Sequence, residues 1–231
     1  MIGRLLIAGL MATAVLGLFV HEGALVVPGE FNLFAPLDVR DEPGWLTGYK
    51  LGRLERDAQE CRVVLQGSPI QSSPVPDQVT GEGCGFNNAI NVTRSSVRFN
   101  DSFPATCPLA VGWALFELHV LQAAARQHLG QEVVRVEHFG TYSCRNLYHR
   151  ESGRRSQHAT ANAIDIAGFT LADGTQVSVL ADWDGPAAKA AFLRAIRDGA
   201  CRFFDVVLSP DYNEAHRDHF HFDQGGQSAC L

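Results

Sequence analysis

The alternation of apolar and polar positions separates an N-terminal apolar segment from a longer, patterned region. An uncharged and mostly apolar run over residues 5–20 follows Arg4. This run is long for a signal-peptide core and short for a membrane-spanning helix, and no A-x-A cleavage site follows it. A positive residue ahead of the run favours a cytoplasmic N-terminus. We therefore predict an uncleaved membrane anchor, with a cleaved signal peptide as the alternative.

Two stretches carry the clearest helical patterns. Apolar residues recur at intervals of three and four over residues 107–130 and 186–204. Pro108 suits the first turn of the first helix and Gly130 suits its end. A shorter helical pattern occupies the first half of residues 45–65. These stretches predict two main helices and one shorter helix.

Alternating and valine-rich runs predict the strands. They cover residues 132–139, 204–209 and 219–223, together with two strands around an Asp-Gly turn within residues 162–180. Two proline-containing stretches lack any sustained period and predict irregular structure. Residues 24–45 are expected to form an extended linker or strap, and residues 66–85 a loop.

The order of these elements predicts the fold class and the domain organisation. Helices on both sides of a set of strands indicate an α+β fold, with a small antiparallel sheet flanked by helices. We predict an anchor or signal segment at 1–22, an extended linker at 23–50 and one folded domain at 51–231. The chain of 231 residues, 46% of them hydrophobic, is sufficient for one such core.

Charge and cysteine content narrow the functional classes. The net charge is −6 and no run of Lys and Arg occurs, so we expect no nucleic-acid partner. No two of the six cysteines form a CxxC pair, which argues against a zinc ribbon or a thioredoxin-type redox site. An even number at wide spacing suits three disulfides in an oxidising compartment, in a pairing that the sequence leaves open. The disulfide candidates are Cys61, Cys84, Cys107, Cys144, Cys201 and Cys230.

Histidine and aspartate concentrate in two short stretches, "SQHATANAID" at 156–165 and "HRDHFHFD" at 216–223. On a strand, His219 and His221 would point to one face, because side chains alternate with period two. Imidazole nitrogen suits zinc, and a catalytic zinc site needs three protein ligands and one open position. We predict that the two stretches meet and that His158, Asp165 and His221 hold the metal.

The first stretch resembles the S-x-H-x-x-G-x-A-x-D motif of a group of metallopeptidases. This LAS-type group includes lysostaphin-type endopeptidases, D-Ala-D-Ala carboxypeptidases and the hedgehog signalling domain. Ser156, His158, Ala163 and Asp165 match the motif, whereas Ala161 stands where the motif has glycine. The segment "DHFHFD" resembles the second motif, which ends in the third zinc-binding histidine.

A closer resemblance covers nearly the whole chain. The segments "GCGFNNAI", "CPLAVGWALF", "YSCRN" and "HATANAIDIAGF" and the six cysteines resemble the bacterial extensin-like C-terminal domain family. Together the resemblances imply a disulfide-stapled fold of the hedgehog and D-Ala-D-Ala-peptidase type. They also imply Zn²⁺ and hydrolysis of peptide bonds in cell-wall peptidoglycan. The alternative is a catalytically inactive, metal-containing binding or structural module of the cell envelope.

The resemblance also implies roles for residues around the metal. Either His219 or Asp218 would be the catalytic general base, since both precede His221 closely. Arg145 would bind a substrate carboxylate, with a surface salt bridge as the alternative. His216 would stabilise the oxyanion or orient a ligand, with a solvated loop histidine as the alternative. Ser156 would contribute a hydrogen bond near the substrate or only form a turn.

Export of the domain sets the predicted location. With the N-terminus inside, the domain would face the periplasm from the inner membrane, and peptidoglycan would be its partner there. Release into the periplasm after cleavage of a signal peptide is the alternative.

Overall fold

The computed structural model describes residues 2–25 and 27–231. Met1 of the predicted anchor and Val26 of the predicted strap lie outside the described residues. The α-helices are α1 (Ile2–His21), α2 (Thr47–Leu54), α3 (Ala58–Gln66), α4 (Cys107–Phe116), α5 (Gln122–Leu129), α6 (Val179–Asp182) and α7 (Ala187–Ala200). The strands are β1 (Gln71–Pro74), β2 (Gln78–Gly81), β3 (Cys84–Phe86), β4 (Ala89–Arg94), β5 (Arg98–Phe99), β6 (Phe103–Thr106), β7 (Val133–Gly140), β8 (Ala163–Leu171), β9 (Gln176–Ser178), β10 (Val206–Leu208), β11 (Phe220–Asp223) and β12 (Ala229–Cys230).

The N-terminal apolar helix that the sequence predicts is confirmed as α1. Its stretch Gly3–His21 has a mean hydropathy of 2.0, and none of its residues is buried in the protein. By length and composition it is able to cross a membrane. A second apolar stretch, Cys107–Leu129, is 78% buried, so it is the core helix of the domain.

The main sheet has seven strands in the order β12-β10-β11-β8-β7-β5, with β9 beside β8. Strands β10, β11, β8 and β7 pair antiparallel, as does β9 with β8, whereas the two-residue edge strands β12 and β5 pair parallel to their neighbours. A second, three-stranded antiparallel sheet has the order β1-β4-β6, and β2 pairs with β3. The predicted α+β class with small antiparallel sheets is confirmed.

The central helix carries the core and breaks once along its length. Every residue of α4 is buried. A π-helical turn at Glu117–Leu121 separates α4 from α5, where the sequence predicts one continuous helix. The buried carboxylate of Glu117 accepts hydrogen bonds from Trp113 Nε1 at 2.8 Å and from the Ser96 backbone at 3.1 Å. These contacts satisfy the charge inside the core.

Successive side chains of β11 point alternately to the core and to the opposite face of the main sheet. Phe222 packs into the core, with its ring 4.9 Å from Phe204 and 5.6 Å from Phe116. Because successive side chains alternate, His221 and Asp223 point to the other face. The strand therefore places polar chemistry and core packing on its two sides.

The sequence-based prediction of a loop over residues 66–85 is wrong, because β1, β2 and the start of β3 lie there. The side chains of β1 are all exposed, so it lacks the apolar alternation that marks a half-buried strand. Its backbone pairs with β4 instead.

The second half of residues 45–65 is also helical. Helix α3 begins directly after Asp57, whose carboxylate accepts hydrogen bonds from Gln59 N and Glu60 N and so caps the helix.

The segment before α2 lies against the domain. Lys50 Nζ donates to the Gly29 carbonyl at 2.7 Å, and Arg53 Nη1 donates to the Leu33 carbonyl at 3.2 Å. Leu37 is buried in the core cluster. Contacts of the domain's helices thus hold this proline-containing segment along its surface.

Three disulfides connect the layers, as the cysteine count predicts. Their pairing is Cys61–Cys107, Cys84–Cys144 and Cys201–Cys230. The first ties α3 to α4, the second ties β3 to the loop after β7, and the third ties the end of α7 to β12. Each closes a loop of 29 to 60 residues, for which the chain-entropy estimate is a stabilisation of about 4 kcal/mol.

Candidate metal centre

Three side chains from the two predicted stretches meet on the polar face of the main sheet. His158 Nε2 lies 3.1 Å from Asp165 Oδ1 and 3.2 Å from His221 Nδ1. His221 Nδ1 lies 2.9 Å from the same oxygen of Asp165. His158 and His221 are buried and Asp165 is nearly so. The structure therefore brings together the three residues that the sequence nominates as metal ligands.

Local structure explains how these residues reach one point. Strands β8 and β11 are antiparallel neighbours, and their register places His221 directly opposite Asp165. His158 comes from a 3₁₀ turn, Gln157–Thr160, that immediately precedes β8. The Ser156 hydroxyl accepts a hydrogen bond from His158 N and caps this turn. The seven-residue spacing between His158 and Asp165 thus spans one turn and the first residues of a strand.

The outer nitrogens of both histidines contact fixed acceptors. His158 Nδ1 donates to the Thr141 carbonyl at 3.1 Å, and His221 Nε2 donates to Asp223 Oδ2 at 2.9 Å. In the neutral imidazoles this leaves the lone pairs on His158 Nε2 and His221 Nδ1. Both lone pairs point towards Asp165, as in metal sites where an outer acceptor sets the histidine tautomer.

The cluster combines buried negative charge with imidazole rings. Burial alone would raise the pKa of Asp165, but the imidazole rings of His158 and His221, when protonated, hold it well below its usual range. Burial alone would lower the pKa of His221, but the carboxylates of Asp165 and Asp223 raise it to about 9. Two ionised carboxylates at this depth require a cation between them, which is either a proton on His221 or a metal ion.

The two candidates for the general base, Asp218 and His219, contact each other. Both precede β11, which begins at Phe220. His219 Nε2 is 3.6 Å from Asp165 Oδ1, so His219 borders the three donors. Asp218 Oδ1 accepts from His219 Nδ1 at 2.8 Å. Asp218 is therefore placed to orient His219.

His216 lies next to His219, with ring centroids 5.2 Å apart. Its Nδ1 is 2.8 Å from Asn213 Oδ1, which also accepts from Ala215 N, so the ring nitrogen is the donor of this pair. Burial lowers the pKa of His216 to about 4, and the neighbouring His219 adds to the shift. The neutral ring therefore carries an acceptor at Nε2. An oxyanion would need a donor at that position.

Arg145 and Ser156 have different surroundings. The Arg145 guanidinium makes no ion pair or side-chain hydrogen bond with any of the described residues, and its charge contributes to the lowered pKa of His216. Arg145 thus lies within electrostatic range of His216, and none of the described side chains engages its guanidinium. Ser156 is 4% exposed and caps the turn that carries His158. The structure gives Ser156 a supporting role behind His158.

Sequence reasoning did not assign a role to Asp223 or to the neighbouring tyrosines. A usable signal for Asp223 was its spacing, because His219, His221 and Asp223 alternate along one strand direction. The hydroxyls of Tyr148 and Tyr212 are 2.8 Å apart and join two surface loops. Tyr212 lies beside His216, with ring centroids 5.4 Å apart. No spacing rule predicts that contact, because 64 residues separate the two tyrosines.

Comparison with known proteins places the chain in a family. No curated protein and no solved structure matches it. The family described as "Extensin-like protein C-terminus" matches residues 59–231, about three quarters of the chain. This span contains the six cysteines and every residue of the candidate metal centre. The chain therefore belongs to the extensin-like C-terminal family.

Proposed function

We propose that this protein is an exported zinc-dependent hydrolase that cleaves peptide bonds in cell-wall peptidoglycan. The observation that carries the proposal is the convergence of three metal-type donors on one point. Tetrahedral zinc with bonds of about 2.0–2.1 Å has donor atoms about 3.3 Å apart. The three distances among His158, Asp165 and His221 are 2.9–3.2 Å. The donor set and its spacing fit such an ion.

The proposed kinship with LAS-type metallopeptidases rests on residues 156–165. Ala161, at the motif's glycine position, adopts φ 54° and ψ 32°. This is the left-handed region, where glycine is the residue of lowest cost. The backbone therefore supplies a physical reason for glycine in the motif, and here a buried alanine adopts the same conformation. The proposed hedgehog and D-Ala-D-Ala-peptidase type of fold rests on the same match.

The residues around the donors suggest how a peptide bond would be cut. His158, Asp165 and His221 would hold a zinc ion, which would act there as a Lewis acid that activates water and polarises a carbonyl group. His219 Nε2 accepts the proton of the attacking water, and the Asp218 carboxylate stabilises the resulting imidazolium through Nδ1. A bond from water oxygen to the carbonyl carbon forms, the C–N bond breaks, and His219 returns the proton to the leaving amine.

The remaining groups would position the substrate. The unpaired guanidinium of Arg145 suits a substrate carboxylate, because its planar donors match both oxygens. His216 Nε2 accepts from a substrate N–H or O–H group. We propose these contacts in place of an oxyanion contact from His216, since Asn213 occupies its donor nitrogen.

The proposed location follows from the N-terminus and the disulfides. Arg4 before the apolar helix favours an inner-membrane anchor with the domain in the periplasm. Three disulfides need an oxidising compartment, which the periplasm provides. Peptidoglycan lies in that compartment. Release after cleavage of a signal peptide would leave the domain in the same place.

The test is metal content followed by hydrolysis. We would measure zinc per chain by elemental mass spectrometry on the full-length protein, its His221→Ala variant and the control His128→Ala, which alters an imidazole on α5 outside the site. About one zinc per chain, lost only in His221→Ala, is expected. Digestion of purified muropeptides by the zinc-loaded protein completes the test.

Two outcomes would contradict the proposal. Folded, disulfide-intact protein that takes up no metal would exclude the zinc hydrolase. Zinc-loaded protein that leaves every muropeptide intact would favour the alternative, a metal-containing module of the envelope without catalysis.

A further inference from the structure

A cleft of about 700 Å³ adjoins the 3₁₀ turn Gln157–Thr160 and contains none of the three donor residues of the candidate metal centre. The β2–β3 hairpin forms one wall, and the starts of α3 and α4 contribute to the other. Thr160 lines this cleft, while His158 of the same 3₁₀ turn points to the metal centre. Its volume is in the range of sites that enclose small ligands.

Neutral hydrogen-bonding groups dominate the lining. Gln78 and Asn87 are exposed to the cleft, and their side-chain amides make no hydrogen bond within the described part of the chain. Each amide both donates and accepts. Deeper in the cleft, Thr106 Oγ1 donates to Asn162 Oδ1 at 2.5 Å, so the floor is already ordered. The ring of Phe86 adds an apolar surface to the same lining.

One negative and one positive side chain line the cleft. Arg56 and Glu55 are adjacent in sequence and both line it. A phosphate or a carboxylate-rich ligand would meet Glu55 as well as Arg56, and a polycation would meet Arg56 as well as Glu55. The lining thus favours an uncharged ligand rich in hydroxyl and amide groups.

The hairpin wall is fixed in place. Cys84 of β3 is joined by a disulfide to Cys144, which immediately precedes Arg145 of the metal-centre side. Gly85 has φ 151°, and a Cβ at that position would collide with the Gln78 carbonyl of the facing strand. The disulfide therefore restrains this wall before any ligand arrives, which lowers the entropy cost of binding.

We propose that this cleft binds an uncharged oligosaccharide chain that carries N-acetyl groups. The amides of Gln78 and Asn87 pair with acetamido and hydroxyl groups, and a sugar ring lies on Phe86. One further consequence rests on the proposed function: a peptide branch on such a saccharide would extend past the shared 3₁₀ turn towards the metal centre. Saccharide binding itself requires no metal.

The experiment is calorimetric titration of the full-length protein with tetra-N-acetylchitotetraose. The detergent carries no sugar headgroup, because such a headgroup would compete for the cleft. We expect saturable binding, weakened about three- to tenfold by Gln78→Ala and again by Asn87→Ala, as loss of one net hydrogen bond predicts. The matched control is Gln127→Ala on α5, which removes an exposed amide elsewhere and should leave binding unchanged.

The outcomes separate this proposal from the hydrolase. Cellotetraose, which lacks acetamido groups, should bind more weakly, and equal binding would overturn the assignment of N-acetyl recognition. No binding of either saccharide, or full binding by the Gln78→Ala and Asn87→Ala double variant, would overturn the saccharide site. The His221→Ala variant should bind tetra-N-acetylchitotetraose as the wild type does. A protein without metal can therefore fail as a hydrolase and still pass this test.

Discussion

Asp223 controls the proton on His221, and its substitution by asparagine tests the arrangement of the proposed metal centre. Asp223 is 6% exposed, and each of its oxygens accepts one hydrogen bond. Oδ2 accepts from His221 Nε2 at 2.9 Å, and Oδ1 accepts from Gly225 N at 2.8 Å. An asparagine offers one accepting oxygen and one donating NH₂ group, so it satisfies only one of these two donors.

The magnitude follows from that mismatch. If the oxygen of Asp223→Asn stays with Gly225 N, His221 Nε2 faces an NH₂ group and the ring is driven to carry its proton on Nδ1. That nitrogen is the one facing Asp165 at 2.9 Å, so the metal must displace the proton. A lost hydrogen bond to a charged group corresponds to about 1.5–3 kcal/mol. We therefore expect zinc to bind about 10- to 100-fold more weakly.

The assay is competition for zinc with a chromophoric chelator at fixed pH. The matched control is Asp205→Asn, whose Oδ2 accepts from Gly226 N at 2.7 Å in the same region. We expect the control to bind zinc as the wild type does. Thermal melting of both variants checks that they are folded. If folded Asp223→Asn protein binds zinc with wild-type affinity, Asp223 does not set the tautomer of His221 and the reasoning is refuted.

Three further predictions test the base, the core and the fold. His219→Ala combined with Asp218→Ala should lower muropeptide turnover by about 10²–10⁴-fold while zinc content stays the same; full turnover by the double variant would exclude this pair. Burial lowers the pKa of the folded-state His138 imidazole below its usual 6.5. As pH falls through 6.5 the unfolded chain therefore binds a proton at His138 that the folded chain does not yet bind, and the free energy of unfolding should decrease. Denaturant unfolding against pH should show a shallower loss in His138→Phe, and identical slopes would refute the assignment. The Cys84→Ser and Cys144→Ser double variant should lower the free energy of unfolding by about 4 kcal/mol, measured in guanidinium, and no loss would show that this crosslink is dispensable.

Local patterns in the sequence predict those helices and strands whose apolar periodicity can be recognised from residues a few positions apart. The apolar run that becomes α1 and the three-and-four spacing of α4, α5 and α7 are visible without any partner. The spacing from His158 to Asp165 and the alternation that leads to His221 likewise predict the three donors. The even number of cysteines predicts three disulfides, because an oxidising compartment leaves few thiols free.

Edge strands are not predicted from the sequence pattern because backbone hydrogen bonds to a strand elsewhere in the chain stabilise them. Strand β1 exposes all its side chains and exists through pairing with β4, and β2, which is exposed along most of its length, pairs with β3 in the same way. The π-helical turn in the central helix also has no periodic signal of its own. It begins at Glu117, whose carboxylate accepts a hydrogen bond from the backbone of Ser96, 21 residues earlier.

The sequence by itself determined the apolar N-terminus, the α+β class, the number of disulfides and the residue types of the candidate metal centre. Only the tertiary structure decided which cysteines pair, which acceptors the outer nitrogens of His158 and His221 contact, and that a cleft lies beside the 3₁₀ turn. Periodicity reports the face on which a residue lies, and it does not report how the side chains of near neighbours such as Asp218 and His219 are turned towards each other. Disulfide pairings and clefts depend on groups that folding brings together from many positions away, as with the 64 positions that separate Tyr148 from Tyr212.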